Sequence, residues 1–100
     1  MLLYNVTVII EEASVDEWLQ WMNEIHIPEV MATNHFVSHR LLKVLDSPNE
    51  GLTYCVQYVA ENIADYEAYR ENHAPALQAK LQVKYENRLV TFRTLMEYVQ

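Results

Sequence analysis

The sequence predicts one α+β domain in which two helices pack on a single antiparallel sheet. Three observations predict it: the size and composition of the chain, a β-α-β-β-α-β order of elements, and a resemblance between its two halves. The chain has 100 residues, of which 51% are hydrophobic and 21% charged. This length gives a single domain, and this composition is typical of a globular protein.

The first half contains a strand, a helix and a second strand. Residues 3–10 are rich in β-branched side chains, which is typical of a strand. The stretch Ser14-Val-Asp-Glu17 has the pattern of a capping box at the start of a helix, and apolar residues follow it at helical spacing. Pro28 is expected to break this helix near the preceding residue, and residues 36–45 are again strand-like.

The second half repeats this order after one strong turn. Residues 46–51 form that turn and contain the only glycine of the chain, so the strands on either side are expected to pair antiparallel. Residues 52–60 form the predicted third strand and residues 89–99 the fourth. Between them lies the second predicted helix, which Asn62 caps and Pro75 interrupts.

The two halves, about residues 1–46 and 51–100, resemble each other at matching positions. Tyr4-Asn-Val6 aligns with Tyr54-Cys-Val56 at an offset of 50 residues, and Glu24-Ile-His26-Ile-Pro28 aligns with Glu71-Asn-His73-Ala-Pro75 at an offset of 47. Two β-α-β halves that share one antiparallel sheet, with both helices on one face, give a ferredoxin-like βαββαβ two-layer sandwich.

Alternation along the strands assigns side chains to the two faces of this sheet. The face toward the helices is expected to carry Val6, Val8, Ile10, Tyr54, Val56, Tyr58, Val90, Phe92 and Met96. The open face is expected to carry Asn5, Thr7, Ile9, Thr53, Cys55, Gln57, Val59, Leu89, Thr91, Arg93 and Leu95, with Phe36, Ser38, Arg40, Leu42 and Val44 from the second strand. That face is too apolar to be left in water, so we expect a second copy of the chain to cover it, sheet against sheet.

The chain resembles the dimeric α+β barrel superfamily over its whole length. Besides the element order, the resemblance rests on a Trp-x-x-Trp-x-x-x-x-His-x-Pro stretch and a Tyr-x-x-x-His-x-Pro stretch, formed by Trp18, Trp21, His26, Pro28, Tyr69, His73 and Pro75. More closely, the segments YNVTV, EWLQWMNEIHIPEVMAT, TYCVQY, ENHAPAL and FRTLMEYV are similar to a small bacterial family of uncharacterised single-domain proteins. The superfamily includes cofactor-independent monooxygenases, lactone isomerases, dehydratases, haem-binding proteins and small-molecule sensors, so the resemblance implies a fold and a homodimer but no single chemistry.

His26 and His73 are the candidate catalytic residues. Each lies at the corresponding position near a helix end of its half, and an imidazole can act as a general acid or base near neutral pH. If both rings reach one cavity, they could deprotonate a bound phenol or enol. The alternative is structural, with each ring bonded to the carbonyl groups that the proline break exposes.

Arg40 and Arg93 are the candidate ligand-binding residues, because guanidinium groups bind carboxylates and enolates. In a cavity between two sheets they would orient a small polar or aromatic ligand together with the polar side chains Asn5, Thr7, Gln57 and Thr91. The alternative is that both arginines pair with backbone or acidic groups of a partner subunit.

Charge and residue types exclude several kinds of partner. The net charge of −7 disfavours nucleic acids and anionic membranes. His35 and His39 lie ~13 Å apart on an extended strand, so no metal site is expected, and no cofactor-binding motif is present. The single Cys55 favours a reducing cytoplasm.

Three functions therefore stay open. The first is a small-molecule-binding or structural homodimer. The second is a cofactor-free enzyme of the monooxygenase or isomerase type with a histidine base. The third is a protein-interaction module that uses a sheet edge or an acidic helix face.

Overall fold

The computed structural model describes all 100 residues and shows a four-stranded antiparallel sheet with helices packed on one face. In chain order the elements are β1 (Leu2–Ile10), α1 (Val15–Trp21), α2 (Ile27–Met31), β2 (Ser38–Lys43), β3 (Leu52–Ala60), α3 (Ile63–Asn72), α4 (Ala74–Lys84) and β4 (Leu89–Glu97). The strand order is β2-β3-β1-β4, with every neighbouring pair antiparallel. The predicted ferredoxin-like α+β fold is confirmed. None of the helices is long and apolar enough to cross a lipid bilayer.

The helical segment of the first half continues through Pro28, contrary to the prediction of a break. One π-helical turn, Met22–His26, joins α1 to α2, and Pro28 lies in the first turn of α2. A proline ring crowds the carbonyl group one turn earlier, and the wider π turn relieves this crowding without ending the helix. The capping box does not form, because Ser14 has helical backbone angles and its hydroxyl donates to the Glu11 carboxylate at 2.6 Å.

The second half follows the prediction closely. The backbone N–H of Asp65 donates to Asn62 Oδ1 at 2.9 Å, so Asn62 caps α3 as expected. His73 forms the joint between α3 and α4. In the predicted turn, Gly51 has a φ of 82°, and a Cβ there would lie 2.5 Å from the Ile10 carbonyl oxygen. Only glycine fits this position without moving the backbone of β1.

An aromatic cluster forms one end of the core between sheet and helices. The ring of Phe36 lies 5.2 Å from that of Tyr58 and 4.8 Å from that of Tyr69, and it also stacks on Tyr4. Phe36 therefore packs on the helix side, and its predicted place on the open face is wrong. The reason is that β2 begins only at Ser38, so the alternation of the strand does not extend back to Phe36.

The predicted faces are correct for β1 and β3 and wrong for β4. Directly opposed residues share a face of the sheet, and Arg93 lies opposite the helix-facing Val6. The helix side therefore carries Leu89, Thr91, Arg93 and Leu95, whereas Val90, Phe92 and Met96 point away from the helices. The prediction placed the more apolar set of β4 against the helices, but that set, which includes Phe92 at 57% exposed, points away from them.

The face of the sheet opposite the helices, called the outer face below, is as apolar as predicted, although its members on β4 differ. Its apolar members are Leu3, Ile9, Leu42, Val59, Val90, Phe92 and Met96. The strand register confirms the predicted outward positions of Arg40 and Leu42, which lie opposite Gln57 and Cys55. No element of this chain packs on the outer face, where Phe92, Val90, Leu42 and Met96 are exposed.

Candidate functional site

A small cavity, called the inner cavity below, lies between the sheet and the helices. Its volume is about 20 Å³, which is room for one water molecule or one oxygen atom of a ligand. Most of its lining is apolar, and the lining residues with polar groups are Tyr4, Trp18, His26, Tyr58, Tyr69, Gln78 and Arg93. Sites for whole organic ligands are usually about 300–1,000 Å³ in volume, so the inner cavity by itself cannot hold such a ligand.

Two buried polar atoms of this lining have no hydrogen-bond partner. They are Nε1 of Trp18 and the hydroxyl oxygen of Tyr58, and the two side chains are 0% and 2% exposed. A buried donor without an acceptor costs about 1–3 kcal/mol, so folded proteins rarely leave one unpaired. Both side chains line the inner cavity, which has room for one acceptor oxygen such as that of a water molecule.

His26 reaches the inner cavity because it ends the π-helical turn. Its ring stacks on that of Trp21 at 5.0 Å. Burial lowers the pKa of His26 to about 4; Glu29 acts in the opposite direction, and the nearby cations Arg93 and Lys80 lower the pKa further. At pH 7 the ring is therefore neutral and can accept a proton.

The alternative role of the two histidines as helix caps does not fit the structure. Side-chain hydrogen bonds to backbone carbonyl groups come from Asn23, Thr33 and Arg88, and neither imidazole makes one. His26 lies inside a continuous helical run, so there is no free helix end beside it.

Arg93 lies at the inner cavity because of the register of β4. Its Nη1 donates to Thr91 Oγ1 at 3.1 Å, which holds the guanidinium along the strand. Burial raises the pKa of the Tyr4 hydroxyl, and Arg93 and Gln78 beside that hydroxyl act in the opposite direction. Tyr4, Gln78 and Arg93 thus form one polar group in the lining of the mostly apolar cavity.

An open cleft, called the outer cleft below, adjoins the inner cavity beside α4 and β4. Its volume is about 910 Å³. Gln78, Leu81 and Arg93 line both spaces, so the inner cavity and the outer cleft are neighbours separated by these side chains. A ligand could place its body in the cleft and one polar atom in the cavity.

His73 does not line the inner cavity, so the condition that both histidines reach one cavity is not met. Its ring packs 5.4 Å from that of His35 and 6.3 Å from that of Tyr69. His35 Nδ1 in turn lies 3.3 Å from the Asp65 carboxylate. No group of three or more histidine, cysteine or acidic side chains is arranged to hold a metal ion.

Four of the predicted ligand-binding residues form a hydrogen-bonded row across the outer face. Arg40 Nε donates to Gln57 Oε1 at 3.0 Å, Gln57 Nε2 to Asn5 Oδ1 at 3.2 Å, and Asn5 Nδ2 to Thr7 Oγ1 at 2.9 Å. Arg93 is not part of this row, because it faces the helices. The expectation that Arg40 and Arg93 share a site is therefore wrong, and the predicted set divides between two faces.

Sequence reasoning missed Trp18, Tyr58 and Gln78 as site residues. It interpreted both aromatic side chains as ordinary core residues. Whether their polar atoms find a partner depends on tertiary packing, which no local sequence pattern reveals. Gln78 did carry a signal, because it lies beside Leu77 on the inward face of the second helix. A polar residue there indicates a site more often than a surface glutamine does.

Fold and cavity together define a ferredoxin-like α+β protein with a pocket between its sheet and its helices. The chain belongs to the family described as "Domain of unknown function (DUF4286)", whose model matches residues 1–99. No curated protein matches the sequence.

Solved structures show the same fold at low sequence identity. A dimeric ferredoxin-like protein from an uncultured marine organism is 14% identical, with a TM-score of 0.72 over 100% of this chain and 96% of that one. SnoaB, a cofactor-independent oxygenase from Streptomyces nogalater, is 14% identical, with a TM-score of 0.70 over 99% and 94%. A variant of MhuD with two manganese protoporphyrin IX molecules bound per active site is 15% identical, with a TM-score of 0.73 over 100% and 96%.

Proposed function

We propose that this protein binds a small organic molecule, placing an oxygen atom of the ligand in the inner cavity and the body of the ligand in the outer cleft. The observation that carries the proposal is the pair of unpartnered polar atoms, Trp18 Nε1 and the Tyr58 hydroxyl. A carbonyl or hydroxyl oxygen would accept from the Trp18 N–H and from the Tyr58 O–H. The MhuD variant and SnoaB support the proposal as proteins of this fold that hold or transform organic compounds.

The working form in this proposal is a homodimer joined through the outer face. Its exposed apolar side chains, with Phe92 57% and Val90 54% exposed, form a patch that water solvates poorly. A two-fold axis would cover both copies of this patch at once. The dimeric ferredoxin-like protein from the marine organism supports such an assembly for this fold.

The ligand site is tested with 4-ethylphenol and ethylbenzene, which differ by one hydroxyl group. In the variant Trp21→Phe, Trp18 is the only tryptophan, so its emission reports on the inner cavity. We expect 4-ethylphenol to change this emission and to bind roughly tenfold more tightly than ethylbenzene, since one hydrogen bond to a buried donor contributes about 1–1.5 kcal/mol. Equal affinity of the two compounds, or no response to either, would contradict the proposal.

The control variant is Tyr58→Phe, which removes the hydroxyl and keeps the ring. It should lower the affinity for 4-ethylphenol several-fold and leave that for ethylbenzene unchanged. Its free energy of unfolding should stay the same or rise, because an unpaired buried hydroxyl is removed.

A second candidate function is catalysis with His26 as a general base, and its place in the lining of the inner cavity together with Arg93 favours it. A pKa of about 4 makes this ring a weak base, so the transfer depends on stabilisation of the anion that forms. A phenol or enol oxygen in the inner cavity would lose its O–H proton to the imidazole, an N–H bond would form, and Arg93 would stabilise the resulting oxyanion. His73 has no part in this proposal, because it lies outside the cavity.

Proton transfer is tested with 4-nitrophenol, whose anion absorbs visible light. Binding to the wild type should shift its ionisation to lower pH, whereas binding to His26→Gln should shift it much less. The control His39→Gln, which removes an exposed imidazole on β2, should behave as the wild type. An equal shift in all three proteins would exclude His26 as the base.

A further inference from the structure

One row of side chains on the outer face is polar throughout and is called the polar row below. It runs across all four strands, and its members lie opposite one another in the strand register: Arg40, Gln57, Asn5 and Thr94. The rows on either side of it contain large apolar side chains. These are Leu42 and Phe92 in one row and Leu3, Val59 and Met96 in the other.

Two amide groups form the middle of the polar row. They belong to Gln57 and Asn5, which lie on the central strands β3 and β1. Gln57 accepts a hydrogen bond from Arg40 and donates one to Asn5, and Asn5 donates to Thr7. An amide group has two N–H donors and an oxygen with two lone pairs. Each of the two amides therefore keeps one donor and one acceptor position for a further partner.

The outer face around this row has the composition of a protein interface. Arg40 is the only charged residue that the strands contribute to this face, in a chain of which 21% is charged. The centre of a protein interface is depleted of charged residues in the same way. Arg40 is exposed on the edge strand β2, so its guanidinium can stay in water at the rim of an interface.

We propose that the polar row decides how two copies of this chain pair, with the amides of Gln57 and Asn5 on one copy bonded to the same amides of the second copy. The proposal rests on the homodimer proposed above and adds its register. When the outer face is covered, the free donor and acceptor of each amide lose water and need new partners. The backbone groups of a partner sheet are already paired between its own strands, so the partner's polar row is the part of its outer face that is richest in both.

A slip of one sheet along the other would separate the two rows. Side chains on one face recur every two residues, so a slip by one repeat is ~7 Å, and it sets each amide against apolar side chains such as Phe92 or Leu3. A buried amide without a partner weakens binding roughly fivefold to a hundredfold, whereas apolar side chains alone tolerate several such positions. The polar row therefore selects one register, as a single buried asparagine does in a coiled coil.

The distance between two spin labels across the dimer tests the proposal. The parent protein is Cys55→Ala with Val83→Cys, which places the only thiol on the exposed side of α4, away from the sheet. Electron–electron double resonance should give one narrow distance in this parent. The variant Asn5→Leu with Gln57→Leu should keep the dimer, because leucine adds apolar area. Its distance distribution should broaden or contain further distances that differ by several ångström, because slipped registers become populated.

Two further variants make the result specific to the polar row. Leu3→Met with Met96→Leu changes the outer face outside this row at nearly constant volume and should keep one narrow distance. Gln57→Met alone leaves Asn5 in place, which is 6% exposed in the subunit. It should broaden the distribution even if the double leucine variant does not fold.

The outcomes separate the register from the homodimer on which it rests. One narrow distance in both variants of the polar row, or equal broadening in Leu3→Met with Met96→Leu, would overturn the role of this row. A parent protein that sediments as a monomer would overturn the homodimer itself.

Discussion

Replacing Phe36 by aspartate is expected to unfold the subunit, whereas replacing Leu42 by aspartate is expected to leave it folded and to weaken its assembly. Phe36 is 5% exposed and packs among aromatic rings. The change Phe36→Asp removes that packing and buries a charge without a partner, which together cost more than about 4 kcal/mol. This is a large part of the stability of an ordinary domain.

Leu42 lies instead on the outer face and is 44% exposed. In a single subunit Leu42→Asp places its carboxylate in water, at little cost. In the proposed dimer the same carboxylate would be buried against the partner sheet. Circular dichroism in urea measures the first effect, and sedimentation velocity measures the second.

The control for both variants is Val83→Asp. It changes an exposed apolar residue of α4 that lies away from the sheet. It should alter neither the unfolding midpoint nor the sedimenting mass. If Phe36→Asp stays folded and the assembly sediments with a lower mass, Phe36 lies on the outer face after all. An unchanged mass for Leu42→Asp would exclude this face as the interface.

Local patterns were sufficient to predict the fold. The β-branched runs, the turn at Gly51 and the cap at Asn62 each act within a few residues of sequence, and the structure contains all three. The break at Pro28 failed because a neighbouring π turn relieved the steric conflict that the prediction rested on. The π turn contains no unusual residue type, so it could not be predicted from the sequence.

The sequence predicted individual residues of the site but not which of them lie together, because that depends on strand register. His26 and Arg93 were both candidates, but the sequence paired His26 with His73 and Arg93 with Arg40. The position of Arg93 depends on which residue of β1 lies opposite it, and that residue is Val6. A shift of one residue would send Arg93 to the outer face, and the apolar alternation of β4 favoured that wrong choice.

The burial of His26 should make the protein lose stability as the pH falls from about 6.5 to 4. The pKa of this ring is about 4 in the folded chain and 6.5 when exposed, so within this range the unfolded chain binds the proton more readily. The contribution is fully present above pH 6.5 and disappears as the pH approaches 4. It amounts to about 2–3 kcal/mol, allowing for the half-buried position of the ring.

Urea unfolding at pH 7 and at pH 4.5 measures this effect, with His26→Phe as the variant that keeps a ring against Trp21 but cannot titrate. The stability of His26→Phe should fall less between the two pH values than that of the wild type, by about 2 kcal/mol. In His39→Gln the fall should equal that of the wild type, because this ring is exposed on β2. Equal falls in all three proteins would show that the pKa of His26 is not lowered in the folded chain, which would contradict the burial of this ring beside the inner cavity.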